Sequence, residues 1–226
     1  MLRLERISRS FGATRAVDEV SLSVEPGVVT ALIGENGAGK TTLMRIAAGE
    51  LSPDSGRVET DGHVELVHQH FMLVADFTIA ENIALAIGRP RWIGSPRAFA
   101  NSASGLIAGS GIELGDVNRR VSDLSVGEKS KLELVKAILR SPVTLILDEP
   151  TSVLTPLETG QLFEVMRRLT AAGTAVVLIS HKLPEVLEVA GRIVVMRAGR
   201  VVLDEPRGIA DVSRLTAAMV DQRALS

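Results

Sequence analysis

Residues 28–49, VVTALIGENGAGKTTLMRIAAG, constrain the fold of this chain more than any other stretch. VVTALI (28–33) is a continuous apolar run of the kind found in a strand covered on both faces, and TLMRIAAG (42–49) is compatible with a helix. The loop between them, GENGAGKT (34–41), satisfies the pattern GxxxxGK[ST]. A strand, a glycine-rich loop and a helix in this order predict an α/β fold whose loop wraps an anion. Gly37 and Gly39 allow the backbone to curl so that successive N–H groups face phosphate oxygens, and the helix adds the positive end of its dipole. In that arrangement Lys40 neutralises the β and γ phosphates of a nucleotide, and Thr41 offers its hydroxyl to magnesium.

A second buried-strand pattern, VTLILD, ends in Asp148 and Glu149 before Pro150, and a third, TAVVLIS, follows after the helix-like LETGQLFEVMRRLTAAG. Strands alternating with a helix imply a parallel sheet, and ligands of open α/β sheets bind at the C-terminal edge, where the two carboxylates fall. Asp148 suits a magnesium shell and Glu149 suits polarising an attacking water. Acidic residues after a strand also commonly cap a turn, which is the competing reading of this pair.

LSVGE (124–128) opens another helical stretch, EKSKLELVKAILR, in which Leu132, Val135 and Leu139 recur at helical spacing. Ser125 and Gly127 at its start form a second anion-binding terminus, far along the chain from the first. Two such helix starts invite a site shared between two subunits.

Elsewhere LRLERI (2–7) and VSLSV (20–24) alternate like antiparallel strands joined by a turn-rich FGATRAV, and residues 52–67 carry further short strands. Residues 77–122 read as a mostly helical insertion broken by Gly, Pro and Ser, with Trp92 inside it. RIVVMRAGRVVLDE is a hairpin turning at Ala198 and Gly199, and DVSRLTAAMV is a terminal helix. His68 and His70 flank Gln69 on opposite sides of an extended segment and do not converge on a metal. With 46% apolar and 23% charged residues the composition is globular, and a net charge of -2 argues against a nucleic-acid binder. No cysteine is present, so a disulfide framework and thiolate metal sites are excluded. No apolar run approaches the length of a bilayer span and MLRLERISRSFG has no signal-like core, so the expected membrane role is peripheral.

These motifs, in this order, resemble the nucleotide-binding domain of the ATP-binding cassette (ABC) family over nearly the whole chain, with LSVGE at the position of that family's LSGGQ signature. The resemblance implies an α/β P-loop ATPase with a mostly parallel core sheet, an antiparallel β-subdomain, and a helical subdomain at about 77–140 inserted in a RecA-like core, residues 1–226 forming one such domain. It implies ATP held by Gly34, Glu35, Asn36, Gly37, Ala38, Gly39, Lys40, Thr41 and Thr42, with Phe11 stacking on adenine. Magnesium would be bound by Thr41, Gln69 and Asp148, and catalysis would rest on Glu149, His181 and Gln69. Two cassettes pack head to tail in that family, so Ser125 and Gly127 would bind the γ-phosphate of a partner cassette, identical or different. An integral membrane permease and a solute-binding protein are the further partners implied, with the chain on the inner face of the membrane and no nucleic acid.

Val126 and Glu128 depart from the usual signature, and the D-loop segment SVLT ends in Thr155 where the family usually has aspartate. Together with VHQHFML (67–73) they are similar to importers of nucleosides and simple sugars, a branch that commonly fuses two cassettes where this chain has room for one. The segment between the phosphate loop and Gln69 is short, so a reduced β-subdomain is expected. The expected function is ATP hydrolysis powering uptake through a separate permease. The alternatives are a soluble ABC ATPase without a permease and a regulatory cassette that hydrolyses poorly.

Overall fold

The computed structural model describes residues 1–88 and 96–220, with residues 96–99 described by their backbone. Trp92 lies outside the described residues. The chain divides into two compact units, one of Met1–Leu66, Val143–Glu149 and the residues from Met166 onward, the other of Val67–Pro142 and Pro150–Val165.

Among the described residues the first unit holds nine strands in two sheets. β1 (Leu2–Phe11) pairs antiparallel with β2 (Thr14–Val24) and β4 (Ser55–Thr60), giving the order β2-β1-β4. The second sheet has the order β5-β6-β7-β3-β8-β9, from β3 (Val29–Ile33), β5 (Val64–Val67), β6 (Thr144–Asp148), β7 (Ala175–Ile179), β8 (Arg192–Arg197) and β9 (Arg200–Pro206). β6, β7, β3 and β8 run parallel, and β9 returns antiparallel to β8. Every residue of β3, β6 and β7 is buried, which is why these segments read as unbroken apolar runs and not as alternating ones.

Helix α1 (Lys40–Ala47) buries Leu43, Met44 and Ile46 in one core with Leu4 and Leu22 of the antiparallel sheet and Val177, Ile179 and Val194 of the parallel one. Each such aliphatic side chain contributes about 2 kcal/mol by leaving water. Helices α6 (Leu183–Val189) and α7 (Val212–Met219) serve a smaller core around Ala31, Ile33, Val186, Ile193, Val195 and Leu215. The β8–β9 hairpin turns at Ala198 and Gly199, both with positive φ (48° and 78°), as a two-residue turn matched to strand twist demands.

One expectation needs correction. The turn-rich connection between the first strands is only Gly12 and Ala13, because β1 and β2 continue to pair through Ser10↔Arg15 and Phe11↔Thr14. The short strands expected within 52–67 are present as β4 and β5: β4 pairs with β1, and β5 joins the larger sheet next to β6.

The second unit contains α2 (Ile79–Ala86), α3 (Pro96–Ser110), a 3-10 turn at Val121–Asp123 and α4 (Val126–Leu139), with the start of α5 (Pro156–Ala171). Thr78 and Glu81 close a reciprocal capping box on α2. α3 runs without a break through Gly105 and Gly109, in line with the helical reading of PRAFANSASGLIAG; burial of Ala103 and Ile107 supports a helix that these glycines weaken. The segment after Gln69 is pinned by side chains from two helices. Asn82 binds both Val74 N–H (2.9 Å) and Val74 C=O (3.1 Å), and Glu133 accepts the Met72 N–H (2.5 Å) while Lys136 donates to Met72 C=O (2.8 Å). Among the described residues no helix is long and apolar enough to cross a membrane.

Candidate functional site

β6, β7 and β3 are adjacent and parallel, so their C-terminal ends open on the same edge of the sheet. β3 delivers the loop 34–39, β6 delivers Asp148 and Glu149, and β7 delivers Ser180 and His181. That topology brings together residues more than a hundred positions apart in sequence.

The loop is a backbone structure that only glycine can complete. At Gly34 (φ +153°) an added Cβ would lie 2.1 Å from Met196 O, and at Gly39 (φ +98°) it would lie 2.1 Å from Ala16 O. Gly39 is also the N-cap of α1, and no side chain caps that end. The first N–H groups of α1 therefore leave the loop without a side-chain acceptor, carrying the partial positive charge of a helix start.

Lys40 folds back over the loop, its Nζ donating to Gly34 O (2.8 Å) and Glu35 O (2.9 Å). It is only 7% exposed. Burial lowers its pKa, and the charges of Glu149 and then Asp148 oppose that shift. An anion arriving in the loop would replace two carbonyl dipoles with full negative charge, a stronger partner for the ammonium.

Thr41 Oγ1 donates to Asp148 Oδ2 at 3.0 Å, with Asp148 buried. A hydroxyl and a carboxylate oxygen side by side are hard donors of the kind magnesium takes, leaving further positions for water and phosphate oxygens. Glu149, one residue on, has φ +52°, a conformation that a non-glycine residue adopts at a cost of about 1 kcal/mol or more. Its N–H donates to Ile179 O (3.0 Å), tying the end of β6 to β7. Its Oε1 lies 2.8 Å from His181 Nδ1, and His181 is exposed while the Glu149 side chain is largely covered. A carboxylate held by an imidazole at a sheet edge beside an ammonium can orient a water and take its proton.

Phe11 ends β1 as a residue 48% exposed, with the Arg9 guanidinium 5.1 Å from its ring centre. Glu35, Asn36 and Gly37 are exposed along the loop, Ala38 is buried in the core, and Thr42 is half-buried in α1. Gln69, Ser125 and Gly127 belong to the second unit: Gln69 is exposed just after β5, Ser125 is exposed, and Gly127 is buried. Among the described residues no three His, Cys, Asp or Glu side chains gather as a metal site, and His68 and His70 stay outside any such group.

The start of α4 holds features that the sequence reading did not extract. Ser125 Oγ accepts the Glu128 N–H (3.2 Å) and the Glu128 carboxylate accepts the Ser125 N–H (2.8 Å), a complete capping box. Arg119 grips the same carboxylate with Nη1 (2.5 Å) and Nη2 (3.4 Å) and donates to Asp123 O (3.2 Å). Those bonds, the Arg119 guanidinium first and the Ser125 N–H second, hold the Glu128 pKa at about 2. Thr155 and Glu158 form the same reciprocal pair at the start of α5: Glu158 accepts from Thr155 N–H (3.0 Å) and Oγ1 (2.9 Å). Glu158 also explains Gly127, where a Cβ would meet its Oε1 at 2.4 Å. Both boxes are legible as Ser-x-x-Glu and Thr-x-x-Glu.

A family model described as ABC transporter matches residues 17–152. The chain is 38% identical over 97% of its length to a ribose import ATP-binding protein of Rubrobacter xylanophilus, of which it covers 47%. It is 37% identical over 88% of its length to a nucleoside import ATP-binding protein of Lactococcus lactis subsp. cremoris, of which it covers 42%. The chain thus spans about half the length of the curated relatives it matches. Among solved structures, a nucleotide-free ATP-binding cassette from an ABC transporter superposes with a TM-score of 0.79 at 25% identity, covering 100% of this chain and 97% of that one. The dimeric structure of a bacterial ABC transporter cassette superposes with a TM-score of 0.81 at 21% identity, covering 92% and 99%, a likeness of fold.

Proposed function

The chain belongs to the ABC transporter family, and we propose that it is an ATP-hydrolysing cassette that powers uptake of a small solute, a simple sugar or nucleoside, through a separate membrane permease. The observation that carries the catalytic part is the convergence of Lys40, Thr41 with Asp148, and Glu149 with His181 on one edge of three adjacent parallel strands. The relatives' names, ribose import and nucleoside import, support the direction and the solute class.

In this reading residues 34–42 wrap the phosphates of ATP with backbone N–H groups, Lys40 leaves its two carbonyls for the β and γ phosphates, and Phe11 offers its open face to adenine. Thr41 and Asp148 would hold magnesium, and the ion would neutralise phosphate charge. Glu149 orients a water and accepts its proton as the water oxygen bonds to the γ-phosphorus and the bond to the β–γ bridging oxygen breaks. His181 fixes Glu149 through Nδ1 and presents the rest of its ring toward the γ-phosphate. Ser125 and Gly127 close on the nucleotide of a second cassette, packed head to tail. Residues 1–226 act as one cassette with the helical part at about 77–140, lying against the inner face of the membrane, with a permease and a solute-binding protein as partners.

Steady-state ATPase measurements on the purified chain and on Glu149→Gln test this. Turnover that rises more than proportionally with enzyme concentration and falls at least about a hundredfold in the variant supports it. Equal turnover in both removes Glu149 from the mechanism, and failure to bind ATP removes the reading.

A further inference from the structure

A carboxylate at the third position of α4 presents an electrostatic conflict. Glu128 stabilises the helix start by accepting the Ser125 N–H, but it places a full negative charge on the turn that, in the proposed function, must approach a γ-phosphate. Protonation cannot remove that charge at neutral pH, because Glu128 titrates at about 2. Glu158 adds a second carboxylate beside Gly127.

Both carboxylates have cationic partners. Arg119 spans both oxygens of Glu128 and is anchored at Asp123 O, with the second guanidinium edge at the same helix start. Lys131, one turn into α4, stands 3.8 Å from Glu158. Asp116 and Asp123 are the other charges that act on Arg119, and Asp116 is turned to its own Asn118.

Resting on the proposed function, we propose that Arg119 is a positioning residue of the signature: it cancels the charge of Glu128 and holds that carboxylate in the capping box, so that the start of α4 can accept a phosphate from a second copy of this chain. Arg119 acts through Glu128 and does not touch the nucleotide. The pairing explains how this chain tolerates an acid where the family pattern has a neutral amide. A glutamine at 128 can make the same reciprocal box without the charge, so it removes the need for Arg119.

That dependence gives the test. In a Glu149→Gln background, where ATP binds without being consumed, MgATP-driven association of the full chain is followed by sedimentation velocity against ATP concentration. Arg119→Gln is expected to raise the half-maximal ATP concentration about tenfold, from loss of one partner of a hydrogen-bonded charge pair. Arg119→Lys is expected to keep most of the affinity, and high salt is expected to narrow the Arg119→Gln defect by screening the uncompensated carboxylate. The decisive variant is Arg119→Gln with Glu128→Gln, expected to return to within about twofold of the parent because no charge is left to cancel. A purely structural role for Arg119 would leave the double variant as weak as the single one, and that result overturns the inference, as does an Arg119→Gln curve that matches the parent. A parent that does not associate with MgATP at any concentration overturns the proposed function on which the inference rests, and is told apart by failing before any substitution at 119.

Discussion

The helix that starts at Lys40 and the helix that starts at Val126 both begin in a short glycine-bearing turn. They solve the problem of their unsatisfied N–H groups in opposite ways. α1 has a left-handed glycine at its N-cap and no side chain to cover the end, so its dipole is available to a ligand at all times. α4 is covered by its own residues: Ser125 and Glu128 exchange hydrogen bonds, Arg119 clamps the acid, and Glu158 packs on Gly127. An open end suits a permanent phosphate cradle. A capped and charge-compensated end suits the role proposed for α4, a surface stable in water when no nucleotide faces it that presents a serine hydroxyl when one does.

The largest effect that separates the two ends is expected at Lys40. Lys40→Ala removes the ammonium from the loop and should weaken ATP binding by about a hundredfold or more, read by fluorescence of a labelled nucleotide, because a buried charge-assisted contact is lost. Ser125→Ala should leave that binding to the isolated chain unchanged; an equal loss in both would break the distinction.

The glycines come next. Gly39→Ala must be accommodated against Ala16 O in a left-handed conformation, and should cost about 3 kcal/mol of stability. Gly127→Ala meets the flexible end of Glu158 in ordinary backbone geometry, and should cost about 1 kcal/mol. Thermal melts of the two variants should differ in that order, and equal shifts would show that the signature turn is as rigid as the loop.

Of the same size as the Gly127 effect, Ser125→Ala should destabilise the start of α4 by about 1 kcal/mol, as loss of an N-cap does, measured by hydrogen exchange of the first turn. The pH dependence sharpens the same point. The Glu128 pKa is lowered from 4.5 to about 2, so its contribution is fully present above about pH 4.5 and is lost as pH falls toward 2. The acid limb of unfolding, compared with Glu128→Gln, should show a stability difference that is constant above pH 4.5 and changes only below it.

The open end of α1 was plain in the sequence; at α4 the Ser-x-x-Glu spacing carries the capping box, but nothing in it shows the Arg119 clamp. GENGAGKT carries its geometry in its own glycines, and the buried strands 29–33, 144–148 and 175–179 announce themselves as apolar runs. The site's topology followed, since alternating strands and helices bring Asp148, Glu149 and His181 to one edge. Arg119 was invisible because its role depends on a bend of the chain through residues 120–125 that returns its guanidinium to Glu128, nine positions on. The same limitation hid the route of β4, whose partner β1 lies about fifty residues earlier and whose own pattern is almost entirely exposed. Thr155 looked like a lost aspartate by position alone; its hydrogen bonds with Glu158 give it a capping role that Thr-x-x-Glu spacing encodes.

A mixing experiment tests the division of labour between the two helix starts most directly. Lys40→Ala disables the loop and Gly127→Asp disables the signature, so each chain alone should turn over ATP at background rates. If the two ends meet on one nucleotide across two chains, mixing the variants restores one complete site per mixed pair, and ATPase activity should rise well above that of either variant. No recovery on mixing, with both variants folded and Gly127→Asp still binding ATP, would contradict a site shared between an open α1 and a capped α4.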